Sequence, residues 1–122
     1  MHKILIFHII EAKLELIFIF LEREGFNNLI LVQEAKEVKD LILSELPDLV
    51  ILDLLMPSVD SHKLVQEVKA NPITSNIKIL ALDANESCAE EALLAGCDDF
   101  CLSLPFDMTV FLTKVKGLVG IE

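Results

Sequence analysis

The sequence is poor in basic residues: Lys and Arg total 10 against 20 Asp and Glu, which gives a formal net charge of −10. Because phosphate contacts require clustered Lys and Arg, this balance argues against a DNA- or RNA-binding surface. It argues equally against binding to an anionic membrane surface. We therefore expect neither nucleic acid nor membrane as a partner.

Long apolar runs are also lacking. In the first third of the chain the longest uncharged apolar run extends from Leu16 to Leu21, far short of the roughly 20 residues that a membrane-spanning helix requires. We expect no signal peptide, because charged residues occur at Glu11, Lys13 and Glu15 without a preceding cleavage site. A cytoplasmic location is the expectation.

Cysteine is scarce, with Cys88, Cys97 and Cys101 as the only three. An odd number without paired spacing does not indicate a disulfide framework, and reduced thiols are the simpler interpretation. A metal site built on Cys97 and Cys101 is not expected either, because no further Cys or His has ligand-like spacing nearby.

What the chain does contain is enough apolar sequence for a full core. Apolar residues make up 53% of its 122 residues, so we predict one folded domain over residues 1–122. There are no repeats, low-complexity tracts or linkers.

Short apolar runs alternate with stretches of helical periodicity along the whole chain. The runs are nearly continuous in apolar residues, which is typical of parallel strands covered on both faces. The predicted strands are Lys3–Phe7, Leu29–Val32, Leu49–Leu52, Lys78–Leu82 and Phe100–Leu102. The predicted helices are Glu11–Glu24, Lys36–Glu45, Ser61–Ala70, Ser87–Ala95 and a last one from an Asp107 N-cap to Val119. Repeated βα units with right-handed crossovers predict a three-layer α/β sandwich.

Asp53 is the principal candidate functional residue. It follows the buried-looking run Leu49–Leu52, and the chain then continues to Met56 and Pro57. Open α/β sheets keep their chemistry at the carboxyl ends of central strands, so this carboxylate is predicted to lie at a functional edge.

Five motifs give the chain a resemblance to a response-regulator receiver domain of two-component signalling, of the chemotaxis-receiver-like type, over essentially its whole length. They are Lys3–Ile6, Leu21–Phe26, Pro47–Pro57, Ala95–Phe100 and Pro105–Asp107. The resemblance implies a flavodoxin-like three-layer sandwich with a five-stranded parallel sheet in the order 2-1-3-4-5. The first and last of five helices would lie on one face and the middle three on the other.

The resemblance also implies a specific chemistry. An aspartate at the position of Asp53 accepts a phosphoryl group from a histidine kinase. Two acidic residues after the first strand and a backbone carbonyl, here that of Leu55, hold Mg²⁺, which offsets the charge of the phosphoryl oxygens. A Thr or Ser ending the fourth strand and a Lys before a proline complete the family's site.

Most of these helper groups are replaced in this sequence. The acidic pair falls on His8 and Ile9, the hydroxyl position is Asp83, and the Lys position is Leu104. A carboxylate at Asp83 would repel the phosphoryl oxygens, at a cost on the order of 4 kcal/mol for two charges about 4 Å apart in an effective dielectric of about 20. We therefore expect impaired phosphoryl chemistry, no enzymatic activity, and no resident metal or other cofactor.

His8 allows three interpretations. It could pair with Asp53 or Asp83 and partly replace the positive charge of the metal. It could be an ordinary exposed histidine. It could also form a transition-metal site with the same two carboxylates, whose ligand types suit Zn²⁺.

Two apolar groups of residues suggest association. Five apolar residues would surround the altered pocket, either as an interface or as loops that bury one another: Ile9, Ile10, Leu54, Leu55 and Leu104. On the first helix, Leu14, Ile17, Phe18 and Leu21 share a core face. Ala12, Leu16 and Ile19 lie on the opposite side and form a second stripe, which is either an interface or a pair of stray exposed apolar residues.

The leading hypothesis is a divergent receiver domain that acts as a protein-interaction module. Its partners would be a histidine kinase, a phosphotransfer protein or another signalling protein, and it could form a homo-oligomer. The alternative is a functional Mg²⁺-dependent phosphoacceptor at Asp53. A flavin or small-molecule site is less expected, because no Gly-rich loop follows the first strand. Designed self-association would leave the same apolar pattern.

Overall fold

A computed structural model describes residues 2–8, 10–53, 61–84, 90, 93–102 and 107–120, with the backbone alone at residues 35, 61, 83, 84 and 102. The strands are β1 (Lys3–Phe7), β2 (Asn28–Val32), β3 (Leu49–Asp53), β4 (Lys78–Ala84) and β5 (Asp99–Leu102). Four helices have defined bounds within these ranges: α1 (Glu11–Arg23), α2 (Ala35–Glu45), α3 (Ser61–Ala70) and α4 (Met108–Val119). Of the predicted helix at Ser87–Ala95, residues 90 and 93–95 are described, and they are helical.

All five strands are parallel, and they form a single sheet in the order β2-β1-β3-β4-β5. The predicted flavodoxin-like fold class and strand order are therefore confirmed. Every residue of β3 is buried, which explains why its sequence is continuous in apolar residues up to Asp53.

Two core layers lie on opposite faces of the sheet because alternate side chains of each strand point in opposite directions. In β1, Leu5 and Phe7 join one layer while Ile4 and Ile6 join the other. The first layer is completed by buried residues of α2 and α3: Val38, Ile42, Leu64, Val65 and Val68. The second is completed by residues of α1 and α4: Leu14, Ile17, Leu21, Phe111, Leu112 and Val115. The first and last helices thus share one face, as the resemblance implied.

The observed elements begin and end within about two residues of their predicted bounds. At α4 the predicted cap is confirmed, since the Asp107 carboxylate accepts hydrogen bonds from the backbone N–H groups of Thr109 and Val110 at 2.9 and 3.2 Å. One core prediction is wrong: Phe18 is only half-buried. Its position on α1 lies at the boundary of the stripe formed by Leu14, Ile17 and Leu21, not at its centre.

α4 is joined to β5 by the Lys114 side chain. Its Nζ donates to the Phe100 carbonyl oxygen at 2.5 Å, lies 3.2 Å from Asp99 Oδ1, and sits 4.8 Å from the centre of the Phe100 ring. Across the described ranges, no helix is both long and apolar enough to cross a membrane.

Candidate functional site

Asp53 and His8 meet at the carboxyl edge of the sheet. Phe7 of β1 pairs with Leu52 of β3, so the next residues along the two strands, His8 and Asp53, lie side by side. Both are buried, with 1% of His8 and 3% of Asp53 exposed. The alternative in which His8 is an ordinary exposed histidine is therefore wrong.

The His8 ring has two contacts on a single nitrogen. Its Nδ1 lies 3.6 Å from Asp53 Oδ2, and it accepts a hydrogen bond from the backbone N–H of Ile10 at 3.1 Å. A ring nitrogen that accepts a hydrogen bond carries no proton, which assigns the proton of the neutral ring to Nε2. In this arrangement the imidazole is a close neighbour of the Asp53 carboxylate.

Of the described groups beside Asp53, His8 offers an imidazole nitrogen, whereas Mg²⁺ prefers octahedral coordination by oxygen. Within the described ranges, no group of three or more His, Cys, Asp or Glu side chains is arranged to hold a metal ion.

Several predicted site residues lie outside the described ranges. They are Ile9, Leu54, Leu55 and Leu104. Asp83 belongs to β4 by its backbone, but its side chain is not among those described. Ile10, the described member of the predicted rim, is 47% exposed. The rest of the rim and the predicted repulsion at Asp83 stay predictions.

The outer stripe of α1 is exposed. Leu16 and Ile19 are 45% and 42% exposed, and Ala12 is exposed beside them. Leu14, on the opposite side of the helix, is buried against the sheet. The stripe begins two residues after Ile10, the residue that contacts the His8 ring.

Cys97 and Cys101 are free thiols that belong to different core layers. Burial raises the pKa of each thiol from 9.0 to about 11. Both therefore stay protonated near neutral pH, in which form a thiol is neither a good nucleophile nor a good metal ligand.

Sequence reasoning identified Asp53 and His8 but missed the third member of the cluster, the backbone N–H of Ile10. A backbone donor has no residue-type signature. The only available signal was the absence of Ser, Thr, Asp or Asn at the start of α1, which leaves that end of the helix without a capping side chain.

Comparison with known proteins places this chain in a family. The model of the response regulator receiver domain matches residues 9–116. Response regulator MprA of Mycolicibacterium vanbaalenii is 34% identical over 91 residues, which cover 73% of this chain and 38% of that protein. The DNA-binding dual master transcriptional regulator RpaA of Synechocystis is 32% identical over 124 aligned positions, covering 98% of this chain and 49% of that protein.

A solved structure agrees with these matches. A response regulator from Chloroflexus aurantiacus superimposes with a TM-score of 0.89 at 26% identity, over 98% of both chains. The chain spans less than half the length of the two curated relatives named above. From the family match, the relatives and the fold, the chain belongs to the response regulator receiver domain family.

Proposed function

We propose that this receiver domain acts mainly as a protein–protein interaction module in two-component signalling, with impaired phosphoryl chemistry at Asp53. The observation that carries the proposal is the buried His8 imidazole, whose Nδ1 lies 3.6 Å from the Asp53 carboxylate. This ring stands where the family places a carboxylate that holds the metal. The domain would work in the cytoplasm, without enzymatic activity of its own and without a resident cofactor.

Electrostatics supports the impairment. Asp53 is 3% exposed, so water screens its charge poorly and an arriving phosphoryl dianion would be repelled strongly. The ring nitrogen that faces it accepts the Ile10 N–H and so donates no hydrogen bond to the carboxylate. By sequence, the family's Lys position is Leu104 and its hydroxyl position is Asp83, so neither supplies compensating charge.

The exposed stripe of α1 supports the interaction role. Ala12, Leu16 and Ile19 present apolar surface on the side of the helix that faces away from the core. In the receiver family this helix docks helices of kinases and phosphotransfer proteins, which makes a histidine kinase, a phosphotransfer protein or another signalling protein the proposed partner. The net charge of −10 argues against nucleic acid as a partner of this domain.

The proposal is tested by incubating the protein with Mg²⁺ and acetyl phosphate and recording its intact mass. We expect no phosphoryl adduct on the wild type. A variant that combines His8→Asp, Asp83→Thr and Leu104→Lys restores the family's residue types at three positions and should gain the adduct. Adding Asp53→Asn to that variant should abolish it. A stoichiometric adduct on the wild type that disappears in Asp53→Asn would defeat the proposal.

The alternative function is a working Mg²⁺-dependent phosphoacceptor. It requires a cation beside Asp53, so titration with Mg²⁺ discriminates directly. Binding that is lost in Asp53→Asn supports the alternative, while absence of binding in the wild type, together with binding in the restored triple variant, supports the impaired site.

Self-association through α1 is measured by sedimentation at micromolar concentration. We expect a dimer or larger species that Leu16→Glu together with Ile19→Glu converts to monomer. Leu94→Glu is the matched control, because Leu94 is also strongly exposed but lies outside α1. A monomeric wild type excludes a second copy as the occupant of the stripe.

A further inference from the structure

The His8 ring connects Asp53 to the start of α1. Its Nδ1 accepts the Ile10 N–H at 3.1 Å and faces Asp53 Oδ2 at 3.6 Å. Ile10 is the N-cap residue of α1, and its carbonyl oxygen accepts hydrogen bonds from the N–H groups of Lys13 and Leu14 at 3.1 Å each. One residue therefore bonds the first turn of the helix through its C=O and the His8 ring through its N–H.

This attachment differs from an ordinary helix cap, because the His8 ring accepts the N–H of the N-cap residue itself and not an N–H of the first turn. Ile10 has no polar side chain, and it makes no side-chain capping bond to the first turn of α1. The His8 ring is itself held rigidly, because it is 1% exposed and the His8 N–H donates to the Val32 carbonyl oxygen at 3.3 Å. The position of the helix start is thus set by a ring that is fixed in the sheet.

The Nδ1 atom of His8 has a single lone pair, so it accepts from one donor at a time. The Asp53 carboxylate is an acceptor and does not compete for this lone pair, which therefore stays with the Ile10 N–H. Any donor that arrives from the side of Asp53, whether a hydrogen-bonding group or a cation, takes the lone pair and leaves the buried ring without an acceptor for Ile10. Loss of that partner weakens the attachment of the first turn of α1.

We propose that His8 is a positioning residue that couples the chemical state of Asp53 to the first turn of α1 through the Ile10 N–H. The exposed stripe of Ala12, Leu16 and Ile19 begins two residues further along, so the coupling would reach the interaction surface. It holds whether or not Asp53 accepts a phosphoryl group, and it therefore goes beyond the function proposed above.

The experiment is amide hydrogen exchange by NMR on the ¹⁵N-labelled protein, with three variants. His8→Asn keeps an acceptor oxygen close to the position of Nδ1, and His8→Phe removes the acceptor. Asp53→Asn puts an N–H donor beside the ring. Asp40→Asn is the matched control for loss of a carboxylate, because Asp40 is exposed on α2.

We expect the amides of Ile10, Lys13 and Leu14 to exchange about tenfold faster in His8→Phe and in Asp53→Asn than in the wild type. They should stay within about twofold of the wild type in His8→Asn and Asp40→Asn, while the amide of Leu80 in the buried sheet stays unchanged in all variants.

In the wild type, long-range ¹⁵N–¹H correlations should place the His8 proton on Nε2, with His2 and His62 as internal references. If His8→Phe fails to fold, the comparison of amide exchange in Asp53→Asn with that in Asp40→Asn decides whether the coupling exists. Equal exchange in those two variants, or a proton on Nδ1 in the wild type, would overturn the coupling.

Discussion

The side-chain ammonium of Lys69 lies 2.8 Å from Asp98 Oδ2, which joins the end of α3 to the residue that precedes β5. The same oxygen accepts the N–H of Ile79 at 2.8 Å, and the ammonium also donates to the Ile77 carbonyl oxygen at 2.7 Å. The Asp98 carboxylate, whose other oxygen lies 4.0 Å from Lys78 Nζ, thus connects α3, the start of β4 and the start of β5 at the end of the sheet opposite Asp53.

Asp98→Ala should lower the free energy of unfolding by about 2 kcal/mol, because it leaves the Ile79 N–H and the Lys69 ammonium without their shared acceptor. Asp40→Ala on the exposed side of α2 is the control and should change stability by less than about 0.5 kcal/mol. Urea unfolding measures both. Equal stability of the two variants would show that the Asp98 contacts contribute nothing net.

Gly96→Ala should destabilise the fold by about 1–2 kcal/mol. Gly96 has a φ of +121°, and an added Cβ would lie 3.1 Å from Lys69 Cγ, so the substitution strains the backbone and displaces the Lys69 stem. Gly117→Ala is the matched control: it lies within α4, where no described atom beyond its chain neighbours and the helix's own backbone comes within 4 Å of the added Cβ. It should raise stability by about 0.5–1 kcal/mol. Thermal unfolding that shifts both variants in one direction would contradict this reasoning.

Leu46 follows α2 in the left-handed conformation, with φ 45° and ψ 59°. For a residue with a Cβ this conformation costs on the order of 1 kcal/mol, and Asn tolerates it better than Leu. Because Leu46 is exposed, Leu46→Asn loses little packing and should stabilise the protein by about 0.5 kcal/mol. Leu43→Asn, an exposed site inside α2, should instead destabilise it, since Asn is a poor residue for a helix interior. A gain in both variants would point to reduced surface hydrophobicity instead of backbone strain.

Stability should fall in alkaline solution through the two buried thiols. Burial raises the pKa of Cys97 and Cys101 from 9.0 to about 11, so the folded state keeps protons that the unfolded state loses. The stabilising contribution is therefore complete below pH 9.0 and is lost as the pH rises to about 11, by on the order of 2 kcal/mol for each thiol.

The measurement for the thiols is the free energy of unfolding from pH 8 to about 11. It is compared between the wild type and the double variant that combines Cys97→Ala with Cys101→Ala. Lysines titrate in the same range, so the informative quantity is the difference in pH dependence between the two proteins. Parallel curves would show that the thiols do not contribute.

Most of the fold was predictable because its signals are local. The run Leu49–Leu52 is buried on both faces of the sheet, and its sequence shows it directly. Asp107 indicates the start of α4, because Asp is a residue type that favours the N-cap position. Leu46 gave no such signal, since nothing in a leucine indicates a left-handed backbone.

The candidate site was likewise predictable only where its signals are local. The place of Asp53 beside His8 follows from strand order and register, both of which the motifs indicated. The tautomer of His8 did not follow, because it depends on the Ile10 backbone N–H, a group that every residue except proline carries. The burial of Phe18 was predicted wrongly. Periodicity shows which face of the helix a side chain lies on, but it does not show how far the sheet extends beneath that face.

The position of Lys114 has a consequence for how copies of this chain can meet. β5 is a terminal strand, and Lys114 places an ammonium group on the outward carbonyl oxygen of Phe100 and over its ring. A charged side chain seated there obstructs pairing with a strand from another molecule, the usual route to edge-to-edge aggregation. On this flank the Lys114 ammonium disfavours extension of the sheet by a strand from another copy.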